Sequence, residues 1–184
     1  MDKNYLEAFE KTRNAGSIAS GTLDELTSII KPGISTEEID KFCFKYIKDH
    51  GAYSAPLFYR GYPKSCCTSS NHIVCHGIPS SKILKDGDII NVDVTVLKDG
   101  WHGDTSRMYY VGEVPIKAKK LVETTYKAMM QGIKILNSNI SLGDIGNEIQ
   151  SFVEKEGFSV VRDFCGHGIG DNFHEPPNIL HYGK

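Results

Sequence analysis

The sequence predicts an α+β fold built as two related halves, the second incomplete. Three observations carry this. Stretches with helical spacing of apolar residues flank a block in which the pattern changes to strands. The clearest strand pair is joined by a two-residue Asp-Gly turn, the mark of an antiparallel hairpin. Helix caps and helix stops then recur at a fixed interval along the chain.

A first helix is expected over about 3–30, where Leu6, Phe9, Ile18, Leu23, Leu26 and Ile30 form a loose apolar stripe that Pro32-Gly33 breaks. A second helix has a sharper start. Ser35 and Glu38 have the spacing at which each side chain satisfies the other residue's free amide. Ile39, Phe42, Cys43, Tyr46 and Ile47 supply its buried face, and Gly51 is placed to end it.

From Tyr53 to Val111 strands are expected. Over Asp88 to Leu97, Ile90, Val92, Val94 and Val96 alternate with Asn91, Asp93 and Thr95. Asp99-Gly100 suits a type I′ turn, whose two positions need positive φ, and Trp101 to Val111 is the return strand. Helices over about 116–136 and 142–155 follow, the latter capped by Ser141 with Asp144 and ended by Gly157. Phe158 to Val161 reads as a short strand and the remainder as irregular.

Ile29, Ile34, Ser35, Ile39 and Gly51 each have an identical residue 106 positions later, at Ile135, Ile140, Ser141, Ile145 and Gly157. Tyr46 meets Phe152 and Ile47 meets Val153 at the same interval. The organisation expected is one domain over 1–184, with a first pseudo-repeat at about 1–111 and a partial second at about 112–184. The hairpin would recur near about 194–217, so the chain is expected to be cut before its second hairpin.

Composition narrows the function. The 184 residues carry 21 Lys and Arg against 23 Asp and Glu, a net charge of -2, which argues against a dominant nucleic-acid or anionic-membrane surface. No apolar run approaches the roughly 18 residues of a membrane span. The N-terminus enters a charged amphipathic stretch rather than an apolar signal core, so a cytoplasmic location is expected. Cys43, Cys66, Cys67, Cys75 and Cys165 include no C-x-x-C pair, which favours neither a disulfide framework nor a cysteine zinc site.

The hairpin carries the first chemical signal. With Asp99-Gly100 as the loop, Thr95 faces Asp104 and Asp93 faces Ser106. Asp93 and Asp104 are then diagonal neighbours on one face, with side chains roughly 7 Å apart or less. Two such carboxylates repel unless a cation or proton lies between them. The pair reads either as a divalent-metal site or as a solvated polar ladder.

Cys165-Gly166-His167-Gly168-Ile169-Gly170 is not a G-x-G-x-x-G loop, and Pro176-Pro177 prevents the helix that such a loop opens. The glycines instead either let other groups approach His167 closely or mark a tight turn whose histidine caps a neighbouring group. The same prolines exclude a zincin helix at His174-Glu175. His76, in Val74-Cys75-His76-Gly77-Ile78-Pro79, stands beside a strand end, as structural histidines often do. His50, His72, His102 and His181 read as surface or structural, and Lys117, Lys119 and Lys120 as a solvated helix start.

Three segments, in this order and spacing, resemble one family. They are Ser70 through Pro79; Asp86-Gly87-Asp88 through Asn91-Val92-Asp93-Val94 to His102-Gly103-Asp104-Thr105-Ser106; and Cys165 through Gly170 with Phe173-His174-Glu175. Together they resemble the short bacterial (type I) methionine aminopeptidases over essentially the whole chain. The resemblance implies the pita-bread α+β fold, two pseudo-symmetric halves with antiparallel strands inside and helices outside. It implies a centre of two divalent ions, with manganese, iron, cobalt or zinc as candidates. Asp93, Asp104 and His167 match three of five ligands; the others are glutamates that the resemblance puts beyond Lys184, one near about position 199. His76 matches a residue that steadies the leaving amide nitrogen, and His174 one that stabilises the scissile carbonyl. Tyr59, Tyr62, Cys67 and Phe173 match the methionine pocket, while Pro56 stands where related enzymes often have cysteine.

The activity implied is removal of the initiator methionine from nascent proteins whose second residue is small. The expected partner is the N-terminal peptide of a nascent protein near the ribosome; a monomer is expected, with no sequence-specific nucleic acid and no membrane. Two rival readings stand beside it: a proline-directed peptidase of the same fold, and an inactive truncated fragment or binding module lacking the two glutamates.

Overall fold

A computed structural model of the chain describes residues 3–183. The expectations placed on Met1, Asp2 and the chain end at Lys184 lie outside the described residues. The chain forms two compact units. The first runs to Val114 and takes in Ile169–Phe173, and the second comprises Pro115–Gly168 and His174–Lys184.

The first unit holds helices α1 (Lys3–Leu26) and α2 (Thr36–Asp49), a short 3-10 turn at Tyr59–Gly61, and strands β1 (Tyr53–Ser54), β2 (Cys67–Ser70), β3 (Ile89–Lys98) and β4 (Trp101–Tyr110). β3 is central, with β1, β2 and β4 all pairing antiparallel to it. The β3–β4 register runs from Lys98 opposite Trp101 to Ile89 opposite Tyr110, as the Asp-Gly turn predicts. Asp99 and Gly100 both have positive φ, 51° and 80°, which is what a type I′ turn requires.

Strand alternation sorts the two faces of β3. Ile90, Val92, Val94 and Val96 are wholly buried against Ala15, Ala19, Leu23 and Leu26 of α1 and Ile39, Cys43 and Ile47 of α2. Each such side chain contributes about 1.5–3 kcal/mol by leaving water. Asn91, Asp93 and Thr95 are thereby turned to the other face. Small residues let α1 come close. A Cβ on Gly103 of β4 would stand 2.2 Å from the Gly16 amide nitrogen. The Tyr109 hydroxyl donates to the Leu23 carbonyl at 2.6 Å, tying β4 to the same helix.

α1 ends at Leu26, short of the expected 30. Residues 27–29 close three-residue turns instead, Thr27 N–H to Asp24 and Ile29 N–H to Leu26, because a chain about to meet Pro32 leaves helical geometry. Ile30 still reaches the core. α2 starts on the expected reciprocal cap. The Ser35 amide donates to Glu38 at 2.8 Å, and Ser35 Oγ accepts from the Glu38 amide at 3.2 Å. Gly51, at φ 64°, turns the chain out of the helix.

The second unit holds α3 (Ile116–Lys134), α4 (Leu142–Lys155), β5 (Gly166–Gly168) and β6 (Glu175–Ile179). α4 has the same cap as α2. The Ser141 amide donates to Asp144 at 2.7 Å, Ser141 Oγ accepts from the Asp144 amide at 3.3 Å, and Gly157 turns out at φ 84°. Gly132 of α3 lies against Ile145 and Ile149 of α4.

The expected strand at Phe158–Val161 does not form, and strands lie instead in segments read as irregular. The apolar run supplies propensity, but a strand exists only through its ladder. That ladder forms between the glycine-flanked His167 and Glu175–Ile179, with a bulge between His167 and Gly168. Pro176 and Pro177 fit β6 because an edge strand need not donate every amide.

Candidate active site

The strand pairing brings the two hairpin carboxylates together. Asp93 is opposite Ser106 and Asp104 opposite Thr95, one diagonal step apart on the face that does not enter the core. The two carboxyl groups lie close enough for each to act on the other's proton. Asp93 is held well above the usual carboxylate range, first by burial and then by the charge and hydrogen bond of Asp104. Thr95 is buried, and its hydroxyl donates to Asp104 Oδ1 at 2.8 Å, fixing that carboxylate. Asp93 is partly buried and Asp104 exposed, so the pair opens toward solvent. A pair that holds its proton more tightly than a lone aspartate suits a divalent cation, which would take that proton's place. Among the described residues, no three His, Cys, Asp or Glu side chains are gathered as a ready metal site.

β2 supplies the next wall. Cys67 is opposite Asp93 and is buried. Burial pushes its thiol up to about 11, with the Tyr62 hydrogen bond pulling down and the charges of Asp93 and Asp104 pushing further up. At neutral pH it is an uncharged, soft surface. The Tyr62 hydroxyl, beside this thiol, is raised in turn, chiefly by burial, so it stays a phenol that donates to backbone carbonyls.

His76 stands on a strained turn locked to β2. Its φ is 54°, a left-handed value that a non-glycine residue adopts at a cost of about 1–3 kcal/mol. Gly77 makes the close approach possible by having no side chain: a Cβ there would stand 2.2 Å from the Thr68 carbonyl oxygen. The Thr68 amide donates to the Gly77 carbonyl at 2.8 Å, and the Gly77 amide to Ser69 Oγ at 3.1 Å. Asp93 raises the neighbouring Cys75 thiol, after burial, so this turn lies within the field of the acidic pair.

Phe173 also belongs to the first unit, and its ring lies 4.9 Å from that of Tyr59. On another side it stacks at 5.7 Å on His102, which is buried and bonds the Gly170 carbonyl through both its backbone amide (2.8 Å) and ring Nδ1 (3.0 Å). His102 is thus the anchor of the Ile169–Phe173 segment. Sequence offered little signal for it, because its partner is a backbone carbonyl 68 residues away.

In the second unit, His167 on β5 meets His174, ring centroids 4.4 Å apart. His167 Nδ1 lies 2.8 Å from the Gly168 carbonyl. A Cβ on Gly168 would stand 2.4 Å from the Pro176 carbonyl oxygen, so glycine is what admits the bulged ribbon that pairs the rings. Tyr59 with Phe173 and His167 with His174 are in ring contact, Asp93 and Asp104 are diagonal neighbours, and Tyr62 bonds the carbonyl of Cys66, next to Cys67.

The signature described as "Metallopeptidase family M24" matches residues 10–184. The methionine aminopeptidase of Rickettsia prowazekii (strain Madrid E) is 56% identical over 176 residues, which span 96% of this chain and 68% of that protein. A crystal structure of methionine aminopeptidase from Rickettsia prowazekii superposes with a TM-score of 0.95 at 55% identity, covering 97% of this chain and 72% of the other. The X-Pro aminopeptidase of Thermotoga maritima MSB8, at 22% identity and a TM-score of 0.80, covers 96% of this chain and 48% of its own; that likeness is one of fold alone.

Proposed function

This chain belongs to metallopeptidase family M24, and from that premise we propose how its residues divide the removal of an N-terminal methionine. By family the activity is that of a methionine aminopeptidase, a hydrolase with the pita-bread α+β fold and divalent-metal cofactors. The high identity, over an aligned span that takes in 96% of the chain, favours this enzyme over an inactive module or a proline-directed peptidase.

Asp93, Asp104 and His167 would supply three of the ligands to a pair of divalent ions, drawn from manganese, iron, cobalt or zinc. When bound, such ions make water acidic enough to attack at neutral pH and polarise a carbonyl. The observation that carries the reading is the diagonal Asp93–Asp104 pair on one face of the hairpin, whose raised carboxyl a cation would relieve. Thr95 keeps Asp104 oriented.

Tyr59, Tyr62, Cys67 and Phe173 line the methionine pocket. Two aromatic rings in contact and an uncharged buried thiol suit a polarisable thioether. His76, preset on its strained turn, steadies the leaving amide nitrogen. His174 donates toward the scissile carbonyl oxygen and stabilises its developing charge. The substrate is the N-terminal peptide of a nascent protein with a small second residue, met near the ribosome by a monomer in the cytoplasm; among the described residues no helix is long and apolar enough to cross a membrane. Two pseudo-repeats, about 1–111 and 112–184, organise the chain; the matching reciprocal caps of α2 and α4, Ser35 with Glu38 and Ser141 with Asp144, support that division.

The test is methionine release from a Met-Gly-initiated peptide by the purified chain supplied with manganese or cobalt. Release that chelator abolishes and that Asp93→Ala and Asp104→Ala eliminate together with bound metal is the expected result. Release indifferent to chelator would refute the reading.

A further inference from the structure

Asp40 of α2 is a buried carboxylate that none of the roles above employs, and it is 7% exposed. Carboxylates are rarely buried without partners, and the partners here are specific. Its Oδ1 accepts from the Ser65 amide at 2.7 Å and the Cys66 amide at 3.3 Å, with the Cys66 thiol at 3.8 Å. Lys64 Nζ lies 4.0 Å from its other oxygen and 3.2 Å from Glu37. These two amides immediately precede β2 and therefore Cys67.

The bonds continue from there. The Tyr62 hydroxyl is within reach of the Cys66 carbonyl at 3.0 Å and the Gly77 carbonyl at 3.1 Å. Gly77 is in turn clamped to β2 through Thr68 and Ser69. One connected network thus runs from Asp40 through the Ser65–Cys66 backbone to Tyr62 and Cys67, and on to the residue after His76.

We propose that Asp40 is a positioning residue for the methionine pocket, setting Tyr62 and Cys67 from a helix that carries no pocket residue. The inference rests on the reading of those two residues as pocket walls. A wall distinguishes side chains of nearly equal size only by where its atoms stand, and binding energy of that kind is small. Removing the carboxylate leaves two amide donors without their acceptor and lets the Tyr62–Cys67 wall move. Loss should therefore fall on discrimination before it falls on the chemical step.

The experiment compares kcat/KM for a Met-Gly-initiated peptide and its norleucine counterpart, which replaces sulfur by a methylene. Asp40→Ala should lower the Met-to-norleucine ratio about fivefold or more, chiefly through KM. Asp40→Asn retains an acceptor oxygen and should stay within about twofold of the parent. Asp40→Glu displaces the oxygen by one methylene and should fall between them. Partial unfolding lowers both substrates alike and leaves the ratio untouched. Hydrogen exchange supplies the second readout. In Asp40→Ala the Ser65 and Cys66 amides should exchange about tenfold faster while the 89–110 hairpin is unchanged. If the parent releases methionine but all three variants keep its ratio, or if protection is lost evenly across the unit, the proposal fails. A parent that releases neither amino acid refutes the functional reading itself and removes the pocket role of Asp40 with it.

Discussion

Asp93 and Asp104 act on each other across the β3–β4 hairpin although neither is the other's direct partner, Asp93 pairing with Ser106 and Asp104 with Thr95. The diagonal step brings two acids together, and without a cation the pair holds a proton more tightly than a lone aspartate does.

That proton gives the first prediction. Asp93 has a folded-state pKa raised above its unfolded value, so the folded chain binds the proton more tightly. Metal-free protein should therefore lose stability as pH rises from the ordinary aspartate range, about 4, through the raised Asp93 value. Asp93→Asn removes the titrating group. In chelator it should be about 1–3 kcal/mol more stable than the parent at pH 8, with the difference vanishing in acid. Paired thermal melts check this, and parallel pH profiles would contradict it. Metal uptake by the parent should also release a proton, measurable by calorimetry in buffers of different ionisation enthalpy.

The second prediction separates holding metal from handling substrate. His76→Ala and His174→Ala should each lower turnover of a Met-Gly peptide about 10²-fold or more while bound metal is retained. Elemental analysis of the purified variants decides it. Loss of metal from either variant would show that the division of roles is wrong.

A third prediction concerns the His76 turn. Gly77→Ala would put a methyl group 2.2 Å from the Thr68 carbonyl oxygen, so the turn must leave β2. The cost should be about 1–3 kcal/mol, and activity should fall with it. His76→Gly relaxes the left-handed backbone and should be more stable than His76→Ala by about 1 kcal/mol. Denaturant titration of the pair measures the difference; equal stability would mean the turn stores no strain.

Which parts of the fold and site are readable from the residues alone follows from range. The hairpin register is legible because alternation in Ile90 to Val96 and the Asp99-Gly100 turn are local signals that agree. The caps at Ser35 and Ser141 are legible for the same reason. The β5–β6 ribbon is not, since glycines and prolines suppress strand propensity and only the ladder reveals it. Asp40 and His102 are hidden for another reason. Each bonds backbone groups, 25 and 68 residues away, and a backbone partner leaves no mark on the sequence.

The last prediction tests the support beneath the acidic pair. Thr95 is 3% exposed, and its hydroxyl reaches Asp104 Oδ1 at 2.8 Å. A buried donor of this kind fixes the rotamer of a carboxylate and the direction of its free lone pairs, which is what a metal ion selects. Thr95→Val keeps the β-branched shape and strand propensity but removes the donor. Metal affinity should fall about 10–100-fold, the usual cost of losing the group behind a ligand. Thr95→Ser restores the hydroxyl and should recover most of that loss. Calorimetric titration with manganese or cobalt reads the effect directly, without reference to turnover. Equal affinity in the parent and Thr95→Val would mean that Asp104 needs no orientation to bind, or that it does not bind metal at all.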